Sequence, residues 1–149
     1  KFFYPFRPEV LVLKGTSFSI AAGQSVGLVG PSGGGKSTVM SLIQRFYDPQ
    51  EGQVLIGADR VPLNTVNIRW WRRQVGFVGQ EPILFNTTVR ANIMYGLDDD
   101  ETVSDEHLCQ CERISNLAFL HKGGNKGLET EVGPRGSRLS GGQKQRVAI

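Results

Sequence analysis

Gly30-Pro31-Ser32-Gly33-Gly34-Gly35-Lys36-Ser37-Thr38 fits the pattern G-x-x-x-x-G-K-[ST], the Walker A or P-loop motif. The residue types answer one physical demand: several backbone N–H groups must approach a chain of phosphates closely. Side chains would block that approach, and Gly33, Gly34 and Gly35 offer bare backbone that tolerates unusual φ and ψ. Lys36 brings a point charge within reach of β- and γ-phosphates, and the Ser37 hydroxyl can join the shell of a Mg²⁺ ion. A helix after the loop adds partial positive charge at its N-terminus.

The flanks agree with the loop. Before it, Ser25-Val26-Gly27-Leu28-Val29 reads as a buried strand. After it, Val39, Leu42, Ile43 and Phe46 recur at i, i+3, i+4 and i+7, one apolar stripe of a helix. Asp48-Pro49 is the expected end of that helix, since a residue before proline avoids the α region. Further back, Val10-Leu11-Val12-Leu13 and Phe18-Ser19-Ile20, split by Gly15, read as strands of an antiparallel layer. Ahead of them Tyr4-Pro5-Phe6-Arg7-Pro8 is held extended by its two prolines. Tyr4 is either an ordinary core ring or a flat ring stacked on a purine base.

Downstream, Gln53-Val54-Leu55-Ile56 reads as a strand turned by Gly57, and Asn64 or Thr65 can cap a short helix to about Arg73. Arg69-Trp70-Trp71-Arg72-Arg73 mixes basic and aromatic residues as single-strand nucleic-acid binders do. One short cluster makes no extended groove, so a helix that buries one Trp and keeps its Arg residues wet is preferred. Val75-Gly76-Phe77-Val78 reads as a second buried strand, with Gln80 just past its end, where open α/β sheets hold ligands. Its amide can ligate Mg²⁺ or hold a water. Ile83, Leu84 and Phe85 are loop residues that serve either as core or as a docking surface. The stretch 88–94 reads as helix, and Asp98-Asp99-Asp100-Glu101 as a solvated loop and helix start. His107, Cys109 and Cys111 are close in sequence, but i and i+2 positions on a helix diverge, which argues against a metal site. In Leu139-Ser140-Gly141-Gly142-Gln143-Lys144-Gln145-Arg146, Ser and two Gly open a helix that runs to the chain end, a second anion-binding device. Two such devices imply two phosphate sites, or two chains that each lend one half.

The bulk numbers fit a single domain or part of one. The 149 residues are 39% apolar, enough for a core, and the net charge of +3 is too weak to argue for nucleic acid. Two cysteines build no disulfide framework, which fits a reducing compartment. No apolar run approaches the ~18 residues a membrane span needs. The chain opens at Lys1 on a segment unlike a signal peptide and reads as a piece of something longer.

The octapeptide LSGGQKQR resembles the signature sequence of ATP-binding cassette (ABC) proteins, and the resemblance extends over almost the whole chain. Segment 4–8 resembles the A-loop of exporter cassettes, GPSGGGKST their Walker A, and NIRWWRRQVGFVGQEPILFNTTVRANIMYG their Q-loop region. The nearest type is the multidrug-resistance, P-glycoprotein-like exporters of subfamily B. The resemblance implies an α/β P-loop NTPase fold with an N-terminal antiparallel β layer and an α-helical subdomain, incomplete at its C-terminus. Residues 1–149 would form the N-terminal portion of one ATP-binding domain, with 1–95 holding the β layer and P-loop core to the Q-loop, and 96–149 the helical subdomain and signature helix.

The resemblance also implies roles. Tyr4 would stack on adenine, and Gly30, Pro31, Ser32, Gly33, Gly34, Gly35, Lys36, Ser37 and Thr38 would hold the phosphates of ATP. Lys36 and Gln80 would act in catalysis, and Ser37 and Gln80 would serve Mg²⁺. Leu139, Ser140, Gly141, Gly142 and Gln143 would contact ATP held by the opposing cassette of a head-to-tail dimer. Ile83, Leu84 and Phe85 would face the transmembrane domain, at the cytoplasmic face of a membrane, with no nucleic acid as partner.

The departures are specific. Pro134 stands where the family has Glu, and Gly57-Ala58 where Asp-Gly is usual. No apolar strand ending in Asp-Glu occurs before Ile149, Leu97-Asp98-Asp99 being the nearest look-alike, so the Walker B carboxylates and the switch His are not found. The expected function is an ATP-binding cassette that powers export and hydrolyses ATP in the intact protein, while this piece alone turns over no ATP. A non-hydrolysing cassette of an asymmetric pair and a soluble ABC ATPase stay open as alternatives.

Overall fold

In the computed structural model, which describes residues 1–97 and 101–149, helix α1 (Lys36–Ile43) leaves the glycine loop directly. Thr38 and Leu42 are its buried residues. The helix stops well short of Asp48-Pro49, because Arg45 turns left-handed at φ 52°. Phe46 therefore falls outside the helix, 56% exposed. The early end is held by side chains. Trp71 Nε1 donates to Ile43 O at 2.7 Å, and the Arg45 guanidinium donates to Val66 O and Asn64 O, both at 2.7 Å. Carbonyls at a helix C-terminus lack intrahelical partners, so Trp71 supplies what α1 cannot, while Arg45 ties the chain just after the helix to the segment before α2.

Helix α2 (Ile68–Arg73) begins later than expected. Its cap is Asn67, whose Oδ1 accepts from Arg69 N and Trp70 N, whereas Asn64 and Thr65 lie in a 3₁₀ turn, Leu63–Thr65. The Thr65 hydroxyl donates back to Pro62 O at 2.7 Å and Val66 is extended, so a single helix cannot span both segments. Trp71 is half-buried and Trp70 is 51% exposed, close to the one-buried-Trp reading.

The strands β1 (Leu55–Ile56) and β2 (Val61–Pro62) pair antiparallel, Leu55 with Pro62 and Ile56 with Val61. Gly57, at φ 71°, makes the turn between them, a conformation glycine takes without Cβ strain. Of the expected layer ahead of the loop, Leu13 alone pairs, in an antiparallel bridge with Phe2.

The segments 18–20, 25–29 and 75–78, expected as strands, form no ladder among the described residues. Val29 is 97% exposed and Phe77 55%. The apolar pattern is right for strands covered on both faces, but a strand exists only through a neighbour that takes its N–H and C=O groups.

Lys1–Val75 and Gly76–Ile149 form two compact units. The second is built on α3 (Val89–Met94), α4 (Asp105–Ile114) and α5 (Gly141–Ala148). Its core is Leu84, Val89, Leu117, Leu120, Val132 and Val147, with Ile93, Phe119, Leu128 and Leu139 packed against it. Thr88 caps α3, and a bridge between Thr88 and Glu131 ties that cap to the later loop. Ser104 caps α4, so the helix starts past the acidic run; residues 98–100 of that run, and with them the Leu97-Asp98-Asp99 look-alike, lie outside the described residues. Arg90 donates to Glu129 at 2.7 Å and Asp105 at 3.2 Å, and these carboxylates, Glu129 first, hold its guanidinium above its ordinary pKa. No helix among the described residues is long and apolar enough to cross a membrane.

Leu120 is fully buried at the centre of this core. Leu120→Ala is expected to destabilise the chain by about 2–5 kcal/mol in denaturant unfolding. Ile83→Ala, at a position 79% exposed, should stay within about 0.5 kcal/mol of the parent.

Candidate functional site

Within the first unit, the glycine loop closes on its own lysine. The Lys36 ammonium donates to Gly30 O and Pro31 O, both at 2.7 Å, and Gly34 N donates to Pro31 O at 3.1 Å. Two glycines make the path possible: Gly33 at φ 78° and Gly35 at φ 84°. A Cβ on Gly35 would also meet Leu13 Cδ2 at 2.7 Å, so the Leu13 side chain would have to shift in addition to the strain of a positive φ. On Gly30 and Gly33, by contrast, a Cβ would meet nothing within 4 Å. The loop thus presents bare backbone to open space beside a fixed ammonium and the N-terminus of an eight-residue helix. That donor set fits a polyphosphate: N–H groups, one cation and a helix dipole. Ser37 is exposed on the first turn of α1, and its hydroxyl, like the Gln80 amide oxygen, is the hard oxygen donor that Mg²⁺ takes.

Tyr4 belongs to the same unit and lies against the helix that follows the loop. Its hydroxyl lies 3.0 Å from Thr38 Oγ1, and Thr38 is buried on the first turn of α1. Phe2 and Tyr47 meet the Tyr4 ring nearly perpendicular, with centroids at 5.0 and 5.2 Å, and Phe6 stacks on it at 5.3 Å. Sequence reasoning picked out Tyr4 but missed this cluster and the link to Thr38. The segment 4–8, expected to be extended, instead turns at Pro5-Phe6, with Arg7 N donating to Tyr4 O at 2.8 Å, because proline at the second position suits a turn as well as a strand; that turn brings Phe6 onto Tyr4.

The remaining expected site residues lie in the second unit. Ser140 caps α5 in a full capping box: its Oγ accepts from Gln143 N at 3.3 Å, and its own N–H donates to Gln143 Oε1 at 2.8 Å. Gly141 and Gly142 are exposed, and Leu139 is partly buried against the core. Gln145 Nε2 donates to Gln80 O at 3.2 Å, a link that the sequence did not reveal. Leu84 corrects the expected docking surface: only 5% exposed, it is core, which leaves Ile83 and Phe85 outside. Pro134 opens a 3₁₀ turn, Pro134–Gly136, entered through Gly133 at φ 73°. In the Trp cluster, Trp71 is spent on Ile43 O, while Trp70 stays 51% exposed.

Comparison with known proteins agrees with this geometry. The family described as ABC transporter matches residues 13–149. The chain is 49% identical, over 99% of its length, to "ABC transporter B family member 21" of Arabidopsis thaliana, and 47% identical over its full length to "Multidrug resistance protein 3" of Entamoeba histolytica. It spans 11% of each of those two proteins. A solved structure titled "Structure of a bacterial Atm1-family ABC exporter with ATP bound" matches 95% of this chain and 24% of that one, at 43% identity and a TM-score of 0.85. The fold is therefore that of an exporter-type P-loop ATPase, as the sequence implied, carried here by its chain path more than by its ladders.

Tyr4→Phe keeps the ring and removes the partner of a buried hydroxyl, and should cost about 1 kcal/mol in denaturant unfolding. Ser140→Ala removes the α5 cap and should cost about 1 kcal/mol in the same measurement, while Ser140→Asp restores most of it.

Proposed function

The chain belongs to the ABC transporter family, and from that premise we propose that it is the nucleotide-binding part of an exporter cassette that takes ATP with Mg²⁺. The observation that carries this reading is the glycine loop folded around the Lys36 ammonium at the N-terminus of α1. In this reading the N–H groups of 30–38 hold the phosphates. Lys36 balances charge on the γ-phosphate, where transfer depends on positioning and charge stabilisation rather than covalent chemistry. Ser37 and Gln80 supply oxygen donors to Mg²⁺, which when bound neutralises phosphate charge. Tyr4 supplies the base-stacking side of the site, fastened to the loop helix through Thr38.

The signature segment 139–143 serves a second cassette. Its capping box holds the start of α5 rigid and leaves exposed Gly141 and Gly142 for close approach, which suits a phosphate carried by a facing copy in a head-to-tail dimer. Exposed Ile83 and Phe85 are the surface proposed for a transmembrane domain at the cytoplasmic side of a membrane. Within the 149 residues no apolar run ends in Asp-Glu, so the general base of hydrolysis would come from elsewhere and this chain by itself would bind ATP without turning it over. Wherever a relative's name speaks of multidrug resistance, the substrate it implies is that relative's.

The test is calorimetric titration of the purified full chain with ATP and Mg²⁺, beside a phosphate-release assay. Lys36→Ala should weaken binding by about ten- to a hundredfold, the worth of a charge-assisted hydrogen bond. An equal affinity for the variant defeats the nucleotide reading. Phosphate release by the parent chain that Lys36→Ala abolishes would instead overturn its inactivity.

A further inference from the structure

Residues 76–82 form no ladder, and among the described residues they make one hydrogen bond: Gln145 Nε2 donates to Gln80 O at 3.2 Å, from 65 positions further along the chain. The donor comes from a fixed element. Gln145 lies within α5, whose start is held by the Ser140–Gln143 capping box and whose Val147 is part of the core. Only the NH₂ end of an amide can serve a carbonyl, so the contact also sets which way round the Gln145 amide sits. On the other partner, the bond takes the backbone oxygen of Gln80 and leaves its side-chain amide without a hydrogen bond among the described residues. Phe77 and Val78 just before it are exposed and bury little that would fix the chain there. A side chain left free on a backbone held at one point, from another element, is the arrangement of a ligand and its support.

We infer that Gln145 is a positioning residue for Gln80: from α5 it holds the Gln80 peptide so that the side-chain oxygen is presented to Mg²⁺. This inference rests on the reading above, in which Gln80 serves the ion, and it assigns a role to a residue that the sequence reading left without one. Mg²⁺ demands near-ideal octahedral geometry, so a misplaced oxygen is a poor ligand even where its chemistry is right. Residues that orient a metal ligand from behind therefore change metal affinity without touching the metal. Gln145 acts in this way through a single backbone carbonyl and makes no contact with ion or nucleotide.

The experiment titrates the full chain calorimetrically with ATP, once with Mg²⁺ and once in EDTA, and reads the ratio of the two affinities. The parent, Gln80→Ala, Gln145→Met and the double variant are compared; Met keeps the length and helix propensity of Gln without its donor. Binding in EDTA serves as the check that each variant is folded. Both single variants should lower the ratio, Gln145→Met by about two- to tenfold. The double variant should fall no further than Gln80→Ala, because Gln145 acts only through Gln80. A ratio for Gln145→Met equal to the parent's, beside a lowered one for Gln80→Ala, overturns this inference alone. So does an equal loss of ATP affinity with and without Mg²⁺, or a double variant in which the two losses add. An unchanged ratio for Gln80→Ala removes Gln80 from the Mg²⁺ reading and this inference with it. A parent chain that binds no ATP defeats the nucleotide reading as a whole.

Discussion

One ammonium bound to two carbonyls holds the loop in shape. Lys36 Nζ donates to the oxygens of Gly30 and Pro31, which bends the chain around a cation. The bend is open only to residues that accept a left-handed conformation, and Gly33 and Gly35 provide it. The same arrangement explains why α1 starts where it does. Gly35 is its N-cap without any side-chain cap, so nothing from the protein covers that end as Asn67, Thr88, Ser104 and Ser140 cover theirs. Every other α-helix of the described residues is capped by a side chain, and the one that is not begins at the glycine loop, which leaves its first N–H groups open to the anion proposed for it.

Around that helix the first unit spends its polar groups on fixing both ends. At the start, the buried Thr38 faces the Tyr4 hydroxyl, which brings the N-terminal aromatic cluster onto the loop. Gln50 makes two hydrogen bonds to the backbone of Phe3, which steadies the strand-like segment that carries those rings. At the far end, Trp71 and Arg45 satisfy carbonyls of α1 and of the segment before α2. A short helix is marginal by itself, so its position depends on these tertiary ties rather than on propensity. The cluster 69–73 is therefore a structural clamp on the loop helix.

What the sequence made legible follows the range of the interactions. Local features came through: the loop and its glycines, the turn at Gly57, the helix near 88–94, and the cap at Ser140. Each is decided within four or five residues, by φ preference or by a side chain reaching its own backbone. Boundaries decided by competition were missed. Asn67 displaced Asn64 and Thr65 as the α2 cap because Thr65 turns back to Pro62, and Arg45 ended α1 ahead of the proline. Strands were legible as pattern only: the 25–29 and 75–78 segments have the composition of buried strands, but pairing belongs to the neighbour and not to the segment. For the candidate site, residue types and spacing pointed to Lys36, Ser37 and Ser140, while the rings around Tyr4 and its link to Thr38 required knowing which groups meet in space.

The two units differ in how they treat their glycine pairs, and the difference bears on function. Gly33 and Gly35 are needed for conformation, with φ of 78° and 84° that other residues resist. Gly141 and Gly142 sit at the start of α5, where neither has positive φ and where an added Cβ would meet nothing closer than Arg146 Nη1 at 3.9 Å from Gly142. Glycine in a helix costs about 1 kcal/mol relative to alanine, and folding of this chain gains nothing visible in return at either position. The Ser140–Gln143 capping box offsets part of that cost by fixing the helix start from outside. Bare backbone at two adjacent exposed positions, beside a reinforced cap, is the arrangement that the proposed approach of a second cassette would use. The glycines of the loop shape this chain's own backbone, whereas those of α5 leave the start of their helix bare and exposed.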